Sequence, residues 1–299
     1  MGILSVKEVS KFYSGHTALD NVSLEVQQGS TFGLLGPNGA GKTSLIRIIN
    51  QITGPDKGEV HFNGQRLTES HIGRIGYLPE ERGLYPKMKV GEQLIYLARL
   101  KGLSKEDARS RIKDWLIRFE ATGWWDKNIE ELSKGMAQKI QFIATVIHQP
   151  ELLIFDEPFT GFDPINTNLI KSEIRRLRDE GATIIFSTHR MESVEEICDE
   201  IALINKGRKI LSGKLKDVKA EYKSNIYEAE LFGAEALQSL VSAEILKSLH
   251  DEGQTTLRLQ ANTEDGNAIA NELMQHGRLI SFKEELPSLN DIFIQKVQS

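Results

Sequence analysis

Cysteine is almost absent. Cys198 is the only one in 299 residues. No intrachain disulfide can form, which excludes the stapled secreted scaffolds and suits a reducing compartment. Cys198 itself reads as a small buried side chain. No window approaches the roughly 18 consecutive apolar residues of a membrane-spanning helix. The opening residues, Gly2-Ile3-Leu4-Ser5-Val6-Lys7-Glu8, lack the basic start, apolar run and cleavage site of a secretory leader. Basic residues are not in excess. A net charge of -5 is no whole-chain signature of a nucleic-acid binder. Internal repeats and low-complexity tracts are missing as well.

What is present is the composition of a globular chain, 39% hydrophobic and 26% charged. Its length accommodates about two domains. The charge is unevenly spread. From Tyr222 onward there are 6 basic and 12 acidic residues, while the preceding part is close to neutral. This asymmetry predicts a division into residues 1–220 and 221–299.

The first part alternates short apolar strands with helical patterns, as in an α/β fold. Leu152-Leu153-Ile154-Phe155 and Thr183-Ile184-Ile185-Phe186 read as buried strands. Between about residues 86 and 148 the pattern becomes helical. Val90 to Lys101, Lys105 to Phe119 and Gly135 to His148 form three amphipathic segments, a helical insertion in the α/β core. Gly213 to Ser224 is lysine-rich and reads as a connector. Beyond it, strand-like alternation at Tyr227 to Leu231 and Thr255 to Gln260 is mixed with helical stretches. Those stretches are expected over Ala234 to Leu249 and Asn267 to Gln275. The last 75 or so residues are therefore expected to form a small α+β domain.

The most specific stretch is Gly36-Pro37-Asn38-Gly39-Ala40-Gly41-Lys42-Thr43, with Ser44 following. It fits G-x-x-x-x-G-K-[ST] at every fixed position. Glycines let the backbone curl until successive N–H groups point at a polyphosphate. The lysine adds a charge on the terminal phosphates, and the threonine hydroxyl can ligate Mg²⁺. A β-rich segment precedes the loop and a helical one follows, which sets the phosphates at a helix N-terminus.

Asp156 and Glu157 close the Leu152 strand. Asp156 can hold Mg²⁺ through water, and Glu157 can orient or deprotonate an attacking water. His189 ends the Thr183 strand in the position of a γ-phosphate sensor. Ser133, in N-cap position before Lys134-Gly135-Met136, offers a second anion site, although on this signal alone an ordinary cap is the better reading.

In this order the motifs resemble the nucleotide-binding subunit of an ABC (ATP-binding cassette) transporter over about residues 3–220. The resemblance implies a P-loop NTPase (RecA-like) core. Asp156-Glu157-Pro158 is similar to the Walker B end, and Thr160-Gly161-Phe162-Asp163 to the D-loop, with Asp163 in its acidic place. Tyr13 is placed like the adenine-stacking aromatic, with Phe12 as the competing choice. Two positions depart from the family. The LSGGQ signature reads Leu132-Ser133-Lys134-Gly135-Met136, and the Q-loop glutamine falls at Glu80. A glutamate can still ligate Mg²⁺ or water but cannot donate as an amide does.

The resemblance further implies an ATPase that binds ATP and Mg²⁺, the metal on Thr43, Asp156 and Glu80. It implies a head-to-tail dimer in which Ser133 and Gly135 complete the partner's site. It also implies separate transmembrane permease subunits and a cytoplasmic location, peripheral on the inner face of the membrane, with no nucleic-acid partner. The ending Pro287-Ser288-Leu289-Asn290-Asp291-Ile292-Phe293 and Glu80 resemble the sodium-efflux (Nat-type) and drug-efflux group, hence an exporter. The competing expectation is a soluble ABC ATPase acting on ribosomes or nucleic acid. Such relatives carry two cassettes or long coiled coils, and this chain has neither.

Overall fold

The computed structural model describes residues 2–298 apart from 82, 234–236, 238 and 264, and without the side chains of 297 and 298. Two compact units divide at Leu215/Lys216.

The first unit opens with strands β1 (Gly2–Tyr13) and β2 (His16–Gln27), joined by a two-residue turn at Ser14 and Gly15. With β4 (Lys57–Phe62) and β5 (Gln65–Arg66) they form an antiparallel sheet in the order β2-β1-β4-β5. The second sheet contains β3 (Thr31–Leu35), β6 (Ile75–Leu78), β7 (Leu152–Asp156), β8 (Thr183–Thr188), β9 (Glu200–Asn205) and β10 (Arg208–Lys214). Its order is β10-β9-β3-β8-β7-β6. All its pairs are parallel except the edge pair β10–β9. The strands β3, β7 and β8 are buried along their whole length. A strand covered on both faces has no polar side, so these read as continuous apolar runs.

Helix α1 (Lys42–Ile49) follows β3 directly. Leu45, Ile46 and Ile49 of α1 share one core with Leu4 and Val6 of β1, Phe32 and Leu34 of β3, and Ile154 of β7. The antiparallel sheet, α1 and the parallel sheet are thus welded into one body, which holds the β3–α1 loop at the parallel strands' carboxyl ends.

The expected helical insertion lies between β6 and β7 as α2 (Val90–Leu100), α3 (Lys105–Arg118) and α4 (Lys134–Val146). Ser104 caps α3 by accepting the Asp107 N–H at 3.0 Å, with Glu106 and Asp107 in the first turn and Arg118 in the last. Lys101 Nζ donates to the carbonyls of Ile72 and Ile75, tying the end of α2 to the core sheet. After β7 comes α5 (Pro164–Asp179), and α6 (Met191–Ile197) follows β8. No described helix is long and apolar enough to cross a membrane.

The expected connector over 213–224 contains the end of β10 and a short helix, α7 (Leu215–Glu221). The second unit is an antiparallel sheet of β11 (Ile226–Phe232), β12 (Ala243–Asp251), β13 (Gln254–Ala261) and β14 (Arg278–Glu285), in the order β12-β13-β11-β14. Helix α8 (Gly266–His276) buries Ile269 and Leu273 against Ala229, Leu231, Leu257 and Leu259. The last helix, α9 (Leu289–Gln298), buries Leu289 and Ile292.

One sequence expectation fails here. The helix expected over Ala234 to Leu249 is replaced from Ala243 by the edge strand β12; Ala234, Glu235, Ala236 and Gln238 lie outside the described residues. The pairing of β12 with β13 shifts between Ile245 and Lys247. Such an irregularity breaks the two-residue alternation and leaves adjacent apolar residues, Ile245 and Leu246, that mimic helical spacing.

Candidate active site

The β3–α1 loop is built on glycines that no other residue can replace. Gly36 has φ +146°, and a Cβ there would stand 2.1 Å from the Ile204 carbonyl oxygen. Gly41 has φ +113°, and its Cβ would meet the Ala18 carbonyl oxygen at 2.4 Å. Gly41 is also the N-cap of α1 and brings no capping side chain, so the first-turn N–H groups stay free for a ligand. Lys42 Nζ arches back over the loop and donates to the carbonyls of Gly36 at 2.7 Å and Pro37 at 3.1 Å. Burial lowers its ammonium from the ordinary lysine value, while Glu157, Asp156 and Glu80 pull the other way.

A cavity of about 320 Å³ opens over this loop. It is lined by Tyr13, residues 38–44, Glu80, Asp156 and Glu157. These are parts of the chain as much as 144 residues apart, brought together by the strand order. Gly36 and Pro37 lie beneath, holding Lys42. Of the two adjacent aromatics it is Tyr13 that lines the cavity, 44% exposed at the hairpin end.

Asp156, at the carboxyl end of β7, is buried. Burial pushes its carboxyl above the usual aspartate range; the Ser187 hydroxyl beside it lowers it, Glu80 and Glu157 raise it further, and Lys42 lowers it. Its Oδ2 stands 3.4 Å from Thr43 Oγ1. This is an all-oxygen pair of the kind a hard divalent cation prefers. No described cluster of three or more His, Cys, Asp or Glu could hold a metal by itself.

Glu157 is held with care. Its backbone is left-handed, φ +49°, and its N–H donates to the Ser187 carbonyl at 2.9 Å. A non-glycine residue in this region costs about 1–3 kcal/mol and persists where its surroundings over-determine it. Here they do. Thr188 Oγ1 donates to Oε2 at 3.0 Å, and the His189 N–H donates to Oε1 at 2.9 Å. His189 Nδ1 stands 2.7 Å from the same oxygen. A carboxylate only accepts, so Nδ1 carries the hydrogen, and the ring is half exposed.

Of the predicted residues, Gly36, Pro37 and His189 adjoin the cavity's residues without lining it, and three more lie on other elements. Ser133 is the N-cap of α4, and its Oγ accepts the Met136 N–H at 3.3 Å. Asp163 is the N-cap of α5 and accepts from the Asn166 N–H at 2.8 Å, with Pro164 opening the helix. Gly135 belongs with them: a Cβ on it would lie 3.9 Å from the Gly161 carbonyl oxygen. The signature and D-loop segments thus form one neighbouring surface.

Sequence reasoning missed His16 and Ala18, which also line the cavity. The signal for His16 was the Ser14–Gly15 turn, which pairs Tyr13 directly with His16. It also missed Thr188, whose hydroxyl positions Glu157, and Gln141, which grips the loop carrying Glu80.

Comparison with known proteins gives the chain's relatives. The family described as ABC transporter matches residues 19–160. A second, described as ATP-binding protein DrrA1-3-like, C-terminal domain, matches residues 213–297. The uncharacterized ABC transporter ATP-binding protein YhaQ of Bacillus subtilis is 42% identical over 99% of this chain and 98% of its own length. The Nod factor export ATP-binding protein I of Cupriavidus metallidurans is 38% identical over 71% of each chain. The ABC transporter ATP-binding protein NatA of Bacillus subtilis is 36% identical over 71% of this chain and 85% of its own. Among solved structures, an ATP binding subunit of an ABC transporter superposes with a TM-score of 0.69 at 30% identity. It covers 74% of this chain and 93% of that one.

Proposed function

The chain belongs to the ABC transporter ATP-binding proteins, and from that membership we propose how its cavity hydrolyses ATP and what the hydrolysis drives. The protein binds ATP and is the ATPase subunit of a transporter. The observation that carries the site assignment is the convergence of Tyr13, Lys42, Thr43, Asp156 and Glu157 on one cavity.

In this reading adenine stacks on Tyr13, and the phosphates lie in the loop of residues 36–44 under the α1 N–H groups and Lys42. Three carboxylates, Glu80, Asp156 and Glu157, act on the single Lys42 ammonium. A bare polyphosphate would be repelled, so a divalent cation accompanies it, and the Thr43–Asp156 oxygen pair suits Mg²⁺. When bound, the ion neutralises charge developing on the phosphoryl oxygens. Glu157 accepts the proton of the attacking water. Thr188 and His189 fix its carboxylate, and His189 stands beside the γ-phosphate.

The cavity lacks Ser133, Gly135 and Asp163 of its own chain. We assign these to a head-to-tail dimer, where the Ser133 end of α4 caps the nucleotide of a second ATPase subunit, identical or paralogous. A second groove, of about 350 Å³, is lined by Ile72, Tyr77, Pro79, Leu97 and Leu100, beside the Glu80 loop and on the helical insertion. It is mostly apolar and would receive a transmembrane permease subunit. Bound to such a subunit, the chain would sit peripherally on the inner face of the membrane. Similarity to a Nod factor export ATP-binding protein favours export.

The test is detergent extraction and purification of the tagged full chain from its own cells. Integral membrane subunits should accompany it in fixed ratio. Recovery with ribosomes or nucleic acid, and without membrane subunits, would overturn the transport reading.

A further inference from the structure

We propose that Gln141 is a positioning residue that sets Glu80 in the nucleotide cavity from helix α4 of the helical insertion. The proposal rests on the reading of Glu80 as a group facing the metal–phosphate, given above.

Gln141 lies in the middle of α4 and is only 4% exposed. Its Nε2 donates to the carbonyl of Pro79 at 3.3 Å and to that of Glu81 at 3.2 Å. The two acceptors bracket Glu80. An amide nitrogen has two hydrogens, one for each carbonyl. Turned over, the amide would set its oxygen against both carbonyls, so the loop itself dictates its orientation. One helical turn on, the single Thr145 hydroxyl hydrogen is shared between the Gln141 carbonyl at 2.9 Å and the Tyr77 carbonyl at 3.4 Å. A single face of α4 therefore grips the chain from Tyr77 to Glu81, and Gln141 holds the carbonyls of the residues on either side of Glu80.

What Glu80 does there is electrostatic. It lines the cavity with Lys42 and Asp156 and acts on the charge of both. A carboxylate at this spot repels metal-free nucleotide and attracts the metal–nucleotide complex. Its position therefore sets how strongly nucleotide affinity depends on the divalent ion. Loss of a partner that orients a ligating group costs about 10–100-fold in metal affinity. Gln141 would exert that effect without touching ligand.

The experiment titrates full-length protein with a non-hydrolysable fluorescent ATP analogue, in Mg²⁺ and in a chelator. The readout is the ratio of the dissociation constant in chelator to that in Mg²⁺. Glu80→Gln should lower that ratio by about tenfold, and Gln141→Met should lower it comparably. In the double variant, Gln141→Met should add less than about twofold to Glu80→Gln, because two residues acting through one group are not additive. An unchanged ratio in Glu80→Gln would sink the reading of Glu80 itself. If Glu80→Gln lowers the ratio and Gln141→Met does not, the positioning role is overturned. An equal drop from Gln141→Met in both backgrounds also overturns it, since the effect would not pass through Glu80. Gln141→Ala, where water can reach the two carbonyls, repeats the measurement should Gln141→Met melt early. Failure of both variants to fold would make Gln141 a structural residue and end the proposal.

Discussion

Glu157 Oε1 accepts the backbone N–H of His189 at 2.9 Å and faces Nδ1 of the same residue at 2.7 Å. One carboxylate oxygen thus holds both the main chain and the ring of the residue that ends β8. The other oxygen is occupied by Thr188. Glu157 is aimed by its neighbours, and its basicity is what remains for chemistry. Glu157→Gln keeps the shape and removes the base. Turnover should fall by roughly 100-fold or more, as for loss of a general base. Nucleotide affinity should hold, and ATP-bound dimers should accumulate on size exclusion. Steady hydrolysis near the wild-type rate would remove Glu157 from its assigned role.

Lys42 tests the loop. Its ammonium is buried among three carboxylates that all act on its charge. Lys42→Ala leaves the cavity acidic with no compensating cation of its own. Removing one member of a buried charge pairing costs about 2–5 kcal/mol, a loss of roughly 30-fold or more in affinity. Titration with a fluorescent ATP analogue reads this directly. Unchanged affinity would contradict the placement of phosphates under Lys42.

Local patterns were legible in the sequence. The glycine loop, the β7 strand ending in Asp156 and the three inserted helices each declare themselves within a dozen residues. Pairings between distant segments were not. Gln141 sits among apolar neighbours on a helix, and nothing in its surroundings announces two carbonyls some 60 residues away. His16 needed the register of a hairpin, and Thr188 needed the adjacency of β7 and β8. In the second unit, β12 was misread because its bulge breaks the strand period.

The second unit has its own core, in which Leu231, Leu257, Leu259 and Leu273 are buried. Every residue assigned to the nucleotide site lies before residue 190, and the first unit has an apolar core of its own. Deletion of residues after about 222 should therefore leave a folded core. Its nucleotide affinity should stay within about twofold of the full chain, since it keeps every assigned contact. An insoluble or unfolded product by circular dichroism would show that the tail completes the core.

His148 gives a prediction about acid stability. It follows α4, and both of its ring nitrogens are out of reach of solvent. Burial, aided by the Lys101 and Arg111 charges, pushes its imidazolium down to about 4 from the ordinary histidine value. A depressed folded value means that the unfolded chain takes up the proton first. The stability linked to His148 is then fully present above about pH 6.5 and drains away as the pH falls towards about 4. A shift of this size is worth at most about 3 kcal/mol. His148→Leu removes the titrating group and keeps the site apolar. Urea unfolding at about pH 7 and about pH 4.5 should show the wild type losing more stability than the variant over that interval. Parallel losses in the two proteins would mean that His148 does not carry the acid sensitivity.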